Sequence, residues 1–171
     1  MKWNNNKFNY PKSSRSIEDG LRKYLFDDEK LPSVTSILQA TKSDEDKAAL
    51  ENWKQRVGYA EANKIKTTAS KRGTNLHSYI EDFLRGRINE SFFESNEQYK
   101  NMAKEIIEKG IDSKLDEIYG IEETLYYPEQ YAGTADLIGI YQGNDVVIDF
   151  KQSNKPKKTD YIQDYFLQLG A

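Results

Sequence analysis

The chain has 171 residues, enough for a single domain with a sizeable core. Its 25 basic and 28 acidic side chains nearly cancel, so the overall charge does not mark a nucleic-acid binder. The lack of cysteine excludes disulfides, thiolate nucleophiles and iron–sulfur clusters. The lack of a long apolar run excludes a transmembrane helix, so we expect a soluble, intracellular protein.

The first part of the chain is predicted to be an irregular arm followed by short helices. Residues 1–30 carry turn formers and scattered aromatics without a period, which is typical of a loosely ordered arm. Ser33 is a candidate N-cap for a first helix, and Ser43 for a second, because their hydroxyls can accept from first-turn amides. The apolar positions of the second helix predict a buried stripe of Leu50, Trp53 and Val57.

Two further helices are predicted before residue 110. The third covers about residues 70–84, and the fourth covers about 96–109 and ends at Gly110. Local charge differs along this region, since 61–87 is rich in basic side chains and 90–123 is rich in acids. The third helix is expected to bury Leu76, Ile80 and Phe83.

A sheet is predicted in the last third of the chain, where the pattern becomes alternating and β-favouring. We expect strands at about 121–127, 131–141 and 145–151, and a last helix at 161–171 that Asp160 caps. Helices, a three-stranded antiparallel meander and a helix make an α/β (α+β) fold with an αβββα core. The expected organisation is one domain over 31–171, with helices over 31–110 and the meander and last helix over 115–171.

Two carboxylates and a lysine fall on the predicted hairpin, in Gly133-Thr134-Ala135-Asp136 and Asp149-Phe150-Lys151. A turn at Gln142-Gly143 sets Asp136 opposite Asp149. A turn at Gly143-Asn144 makes the two acids diagonal neighbours instead. In both registers the acids share one face of the sheet with Lys151.

Neighbouring carboxylates on a sheet repel each other unless a cation lies between them. Their hard oxygen atoms suit Mg²⁺ or Mn²⁺, one ion or two. Beside such a metal, Lys151 can position the attacking water and offset charge on a phosphorane. The competing interpretation is that Asp149 and Lys151 form a solvent-facing ion pair. Alternation also directs either Glu122 or Glu123 to the same face.

Several polar side chains are candidate DNA contacts. The single histidine, His77, lies on the third helix near Lys71 and Arg72, which we expect to face phosphates, although a solvated helix face explains them as well. Lysines can hold a DNA backbone and tyrosines can stack on bases, but tyrosines at helical spacing also pack. The candidates after the last strand are Ser153, Lys155, Lys157, Tyr161, Tyr165 and Gln168.

These residues resemble the RecB-like branch of the PD-(D/E)XK nuclease superfamily, and within it the mitochondrial genome maintenance exonucleases and their phage relatives. The resemblance begins at Leu31 and covers about four fifths of the chain. The combination is specific, although each piece alone is weak. The matching pieces are residues 31–39, 53–56, 73–77, 133–136, 149–151 and 167–169.

The resemblance implies a restriction-endonuclease-like core and a set of roles for these residues. Asp136 and Asp149 would bind the metal together with the Phe150 carbonyl, and Lys151 would be the catalytic lysine. His77 matches the family's helical histidine at the metal, and Glu122 fits the family's acid better than Glu123. Gln168 would open the family's Gln-x-x-x-Tyr motif, whose tyrosine would fall just beyond Ala171. Relatives continue with further strands and a helix.

The predicted function is therefore that of a metal-dependent DNA exonuclease that prefers single-stranded ends. The alternatives are a nuclease-derived module that binds nucleic acid or protein with little activity, and an endonuclease on branched or duplex DNA. We expect Mg²⁺ or Mn²⁺, no iron–sulfur cluster and no nucleotide cofactor. We also expect a monomer without membrane contact, cytoplasmic in a bacterium or a phage-infected cell rather than mitochondrial.

Overall fold

The computed structural model describes residues 2–27, 29–88, 97–153, 157, 159 and 162–171. It has the mixed α+β fold that the sequence predicts, with a three-stranded antiparallel meander between the helices and a last helix. In chain order the elements are β1 (Lys2–Trp3), β2 (Ser14–Glu18), β3 (Leu21–Leu25), β4 (Lys30–Pro32), α1 (Val34–Ala40), α2 (Asp44–Val57), α3 (Tyr59–Leu84), α4 (Gln98–Ile106), a π-helical turn (Ile107–Ile111), β5 (Leu115–Tyr127), β6 (Tyr131–Tyr141), β7 (Asn144–Ile148) and α5 (Gln163–Gly170).

The chain forms two compact units. The sheet unit joins Met1–Thr41 to Ser113–Ala171, and the helical unit is Lys42–Asp112. The sheet unit is thus built from two stretches that are distant in sequence. None of the helices in the described ranges is long and apolar enough to cross a membrane.

The main sheet of the sheet unit has the strand order β1-β5-β6-β7. β1 runs parallel to β5, and β5, β6 and β7 are antiparallel. The strand β6 has the predicted bounds, whereas β5 begins at Leu115, earlier than predicted, and β7 already ends at Ile148. The buried residues Ile118, Ile121 and Leu137 lie on the two central strands.

The β6–β7 turn selects one of the two predicted registers. Tyr141 pairs with Asn144, and Ile138 pairs with Val147. Gln142 and Gly143 have φ values of 48° and 78°, the left-handed backbone that a two-residue type I′ turn requires. The register is therefore the one that directs Asp136 towards the residues just after β7.

The prediction of a loosely ordered arm over residues 1–30 is wrong for most of its length. β2, β3 and β4 form a small antiparallel sheet, with Asp19 and Gly20 in left-handed turn conformations. Tyr24 and Leu31 are each only 2% exposed and form a buried cluster with Ala132 of β6. These strands are short and mostly polar, so their sequence carries almost no alternating apolar signal.

The helix α1 begins where the sequence predicts. The Ser33 side chain accepts a hydrogen bond from the Ser36 amide, and Ser33 also bridges to Ala132 of β6. The helix α1 contacts both β6 and α5. It therefore links the last helix to β6, one of the two central strands of the main sheet.

The helical unit confirms one predicted cap and corrects one predicted buried face. The Ser43 side chain accepts from the Asp46 amide at the start of α2. However, α2 has no buried residue: Leu50 is 50% exposed, and Trp53 and Val57 are half-buried. The apolar period defines a face of the helix, but it does not guarantee that another element covers that face.

The helices α3 and α4 contact each other and carry the buried residues of the helical unit. The helix α3 begins at Tyr59 rather than near Ser70, and Phe83 is only half-buried. Gly110 does not end the fourth helix, because it lies inside the π-helical turn that continues it. The buried positions repeat every fourth residue, as Leu76, Ile80 and Leu84 on α3 and as Ala103, Ile107 and Ile111 further on.

Candidate active site

Two acids face each other on the central strands of the main sheet. Ile121 pairs with Leu137 and Glu123 pairs with Ala135, so Glu122 lies opposite Asp136. Carboxylate oxygens of Glu122 and Asp136 lie within 4.8 Å of each other, and Asp136 is only 8% exposed. Two like charges that are this close and partly removed from water favour a bound cation.

The two adjacent glutamates of β5 point to different surroundings. Glu122 has a φ of 56°, which interrupts the extended backbone of the strand. Glu123 instead lies against Tyr10: burial raises the pKa of the Tyr10 phenol above its ordinary value, and the Glu123 carboxylate raises it further. The structure thus brings Glu122, and not Glu123, to Asp136.

The ladder between β6 and β7 stops one position before the two aspartates of the hairpin would pair. The last paired residues are Leu137 and Ile148. Beyond them, the Phe150 amide donates a hydrogen bond of 2.6 Å to Oδ2 of Asp136. The Asp136 side chain therefore holds the chain just after β7, which carries Asp149 and Phe150, at the end of the ladder.

Asp149 and Lys151 form an ion pair beside this point. Nζ of Lys151 lies 2.6 Å from Oδ2 and 2.8 Å from Oδ1 of Asp149. The side chain of Asp149 is only 9% exposed, against 34% for Lys151. The interpretation as a solvent-facing pair does not describe this arrangement, because the carboxylate is largely buried.

The helix α5 presents two predicted side chains to this ion pair. Nε2 of Gln168 donates to Oδ1 of Asp149 at 3.2 Å. One turn earlier, the Tyr165 ring centroid lies 5.6 Å from Nζ of Lys151 and 4.9 Å from Nζ of Lys157. Sequence reasoning named these residues as DNA contacts but missed that they contact the site's own charged groups, since no local signal reports such pairing.

The remaining predicted DNA contacts have different positions. Ser153 is exposed after β7, and Tyr161 and Lys155 lie outside the described residues. Lys71 and Arg72 lie on α3 in the helical unit, where Lys71 is exposed and Arg72 donates to Oε1 of Gln98 at 2.8 Å. The half-buried His77 belongs to the same helix.

Two side chains from the first 30 residues form hydrogen bonds to β5 and to β6, the strand that carries Asp136. The Tyr24 hydroxyl and Oγ1 of Thr134 are 2.9 Å apart, and Oγ of Ser13 donates to Thr124, the cross-strand partner of Thr134, at 2.9 Å. Sequence reasoning missed this support, because Ser13 and Tyr24 belong to the segment predicted to be an arm. Polar contacts of this kind fix strand positions without a local signal in the sequence.

Comparisons with known proteins point to one group of relatives. The chain is 33% identical over 156 residues to "Mitochondrial genome maintenance exonuclease 1" of Xenopus tropicalis, a match that covers 82% of this chain and 42% of that protein. The proteins of the same name from Mus musculus and Homo sapiens are 32% and 30% identical, over 74% and 80% of this chain and 38% and 40% of their own lengths. No known family model matches the chain.

These matches confirm the resemblance to the mitochondrial genome maintenance exonucleases that the sequence motifs indicated. The chain spans less than half the length of each of these relatives.

Proposed function

We propose that this chain is a metal-dependent DNA exonuclease of the PD-(D/E)XK type that prefers single-stranded ends. The observation that carries the proposal is the cluster of acids around Asp136, next to a lysine held by Asp149. The similarity to proteins named as exonucleases supports the same reaction class.

The donor set fits a hard divalent cation. Glu122, Asp136, Asp149 and the Phe150 carbonyl would hold it, and the sequence resemblance adds His77 of the helical unit as a predicted ligand. Carboxylate and carbonyl oxygens suit Mg²⁺ or Mn²⁺. When bound, such an ion would activate a water for attack and stabilise the negative charge that develops on the phosphate.

The protein's own groups supply orientation and charge. The Lys151 ammonium lies beside Asp149, where it can orient the attacking water and stabilise the developing negative charge on the phosphate. The contacts of Asp149 with Lys151 and Gln168 hold its carboxylate in one orientation. A hydrogen bond from the Phe150 amide does the same for Asp136.

The DNA-binding part of the proposal rests on the polar segment after β7 and on α5. Ser153, Lys155 and Lys157 would contact the backbone, and Tyr161 and Gln168 are further proposed DNA contacts. Lys71 and Arg72 of α3 are further proposed phosphate contacts. Lysines and a tyrosine close together in sequence, as in residues 155–161, are typical of segments that bind single strands, which supports the proposed preference.

Cleavage of labelled DNA tests the proposal. End-labelled linear single strands, linear duplex and circular single strands are incubated with Mg²⁺, Mn²⁺ or EDTA. We expect mononucleotide or short products from linear single strands, intact circles, and no cleavage in EDTA. Lys151→Ala and Asp149→Asn should each lower the rate by about 100-fold or more, since the first removes a positive charge at the reacting phosphate and the second removes a proposed metal ligand.

Lys12→Ala is the matched control, because Lys12 is an exposed lysine of the same unit outside the site. It should cleave like the wild-type protein. Salt-sensitive DNA binding without any product would favour a second candidate, a nucleic-acid binding module. Cleaved circles would indicate an endonuclease instead.

A further inference from the structure

The Tyr165 ring is shared by two lysine ammonium groups. Nζ of Lys151 lies 5.6 Å from its centroid and Nζ of Lys157 lies 4.9 Å from it. Lys157 also donates a hydrogen bond to the Tyr165 hydroxyl. The negative face of an aromatic ring attracts cations at these distances.

The helix α5 contacts the Asp149–Lys151 pair through two of its side chains, Tyr165 and Gln168. Along α5, Tyr165 and Gln168 are half-buried, whereas Phe166, Leu167 and Leu169 are exposed. Gln168 donates to Asp149, and α5 also contacts α1. Successive turns of one helix thus contact both members of the Asp149–Lys151 pair.

We propose that Tyr165 is a positioning residue for Lys151. The inference rests on the proposed function, in which the Lys151 ammonium must stand at a fixed place beside the acids. A lysine side chain has four rotatable bonds, and its carboxylate partner alone leaves the ammonium free to approach from several directions. The ring of Tyr165 removes this freedom, because it attracts the ammonium from a second direction.

This role differs from the stacking of a DNA base on Tyr165. A positioning residue affects the chemical step, and its loss should lower kcat with little change in the affinity for DNA. A stacking residue affects substrate binding, and its loss should weaken that affinity. The two roles are therefore separable by kinetics.

The test compares Tyr165→Leu, Tyr165→Phe and Phe166→Leu in the full chain. We expect Tyr165→Leu to lower kcat on single-stranded DNA by about 10- to 100-fold, the scale of a misplaced catalytic group. Its KM and its DNA affinity in EDTA should stay within about threefold of wild type. Tyr165→Phe keeps the ring and should recover most of kcat. Phe166→Leu, a neighbouring exposed aromatic, should behave like wild type.

A readout without turnover tests the contact itself. In protein labelled with ¹³C-lysine, the ε-methylene resonance of Lys151 should be shifted by the ring current of Tyr165. The resonance is assigned with Lys151→Ala. Tyr165→Leu should abolish this shift, whereas Tyr165→Phe should retain it.

Three results would overturn the inference: no ring-current shift of Lys151, an unchanged kcat in Tyr165→Leu, or a loss of DNA affinity with kcat preserved. These results are distinct from a failure of the proposed function. That failure would be a wild-type protein that cleaves no DNA with either metal, or a Lys151→Ala variant as active as wild type.

Discussion

Glu122 and Glu123 provide a matched pair of acids with different neighbours. Glu122 brings a carboxylate oxygen within 4.8 Å of one of Asp136, whereas Glu123 lies against Tyr10. A metal that binds only the folded protein stabilises it by about 2.7 kcal/mol when its concentration is 100 times Kd. We expect Mn²⁺ to raise the unfolding temperature of the wild type, Glu122→Gln to lose most of this increase, and Glu123→Gln to keep it.

Differential scanning fluorimetry over a Mn²⁺ titration, with EDTA as the baseline, measures this difference. Asp19→Asn is a further control, since Asp19 is an exposed turn residue at a left-handed φ that asparagine tolerates. Equal loss of the metal response in both glutamine variants would contradict the assignment of Glu122.

Part of the site could be predicted residue by residue. Asp136, Asp149 and Lys151 follow from strand alternation and a short turn, both of which are local properties. The choice of Glu122 over Glu123 depends on the register between β5 and β6, which alternation within one strand does not report. The contact between Gln168 and Asp149 joins the segment after β7 to a helix, and only the folded chain defines it.

Within β6, two glycines differ in how closely the backbone of the neighbouring strand approaches. A Cβ added at Gly139 would lie 2.1 Å from the Glu117 carbonyl oxygen and 3.3 Å from Cα of Ile118. At Gly133 the nearest atom would be Cγ2 of Val34, at 3.8 Å. We expect Gly139→Ala to lower the free energy of unfolding by about 3 kcal/mol or more, because backbone must move.

Gly133→Ala should change the same free energy by less than about 1 kcal/mol, since its methyl group meets ordinary contacts. Urea unfolding of both variants, followed by circular dichroism, gives the two values. Similar values for both would show that β5 can shift near Glu117 without cost.

In the small sheet, Glu18 accepts from Lys30 and Lys23, and these hydrogen bonds lower the pKa of its carboxyl below the ordinary 4.5. A lowered folded pKa means a stabilisation that is present above pH 4.5 and is lost as the pH falls through the folded value. At neutral pH, we expect the amide protons of β2 and β3 to exchange with solvent faster in the Glu18→Gln variant than in the wild type. The difference should shrink below pH 4.5, and hydrogen exchange followed by NMR at several pH values measures it.

Helix caps and strands differ in how well local sequence reports them. Ser33 and Ser43 act within their own first turns, so their caps could be predicted from a few residues. The burial of a helix face depends on a partner element, which is why Leu50 is exposed despite its periodic position. The strands of the small sheet are fixed by pairing and by Tyr24, and their own sequence carries little strand signal.

At the scale of the molecule, the sheet unit is discontinuous, and the helical unit interrupts it between Thr41 and Ser113. The first residues of the chain pair with β5, more than one hundred positions away. A window of sequence cannot reveal such a pairing, because neither partner alone indicates the other. Contacts of this separation also make folding slow relative to a helical chain of the same size.

Deletion of residues 1–12 tests whether the start of the chain is part of the fold. The Asn4 amide donates to the Ile118 carbonyl at 2.9 Å, and the Phe8 ring lies 5.6 Å from that of Tyr119, which is only 4% exposed. Exposing one such aromatic residue costs about 1.5–3 kcal/mol. We expect the deletion to lower the free energy of unfolding by at least this amount in urea titrations, whereas an unchanged value would mean that these residues are a dispensable arm.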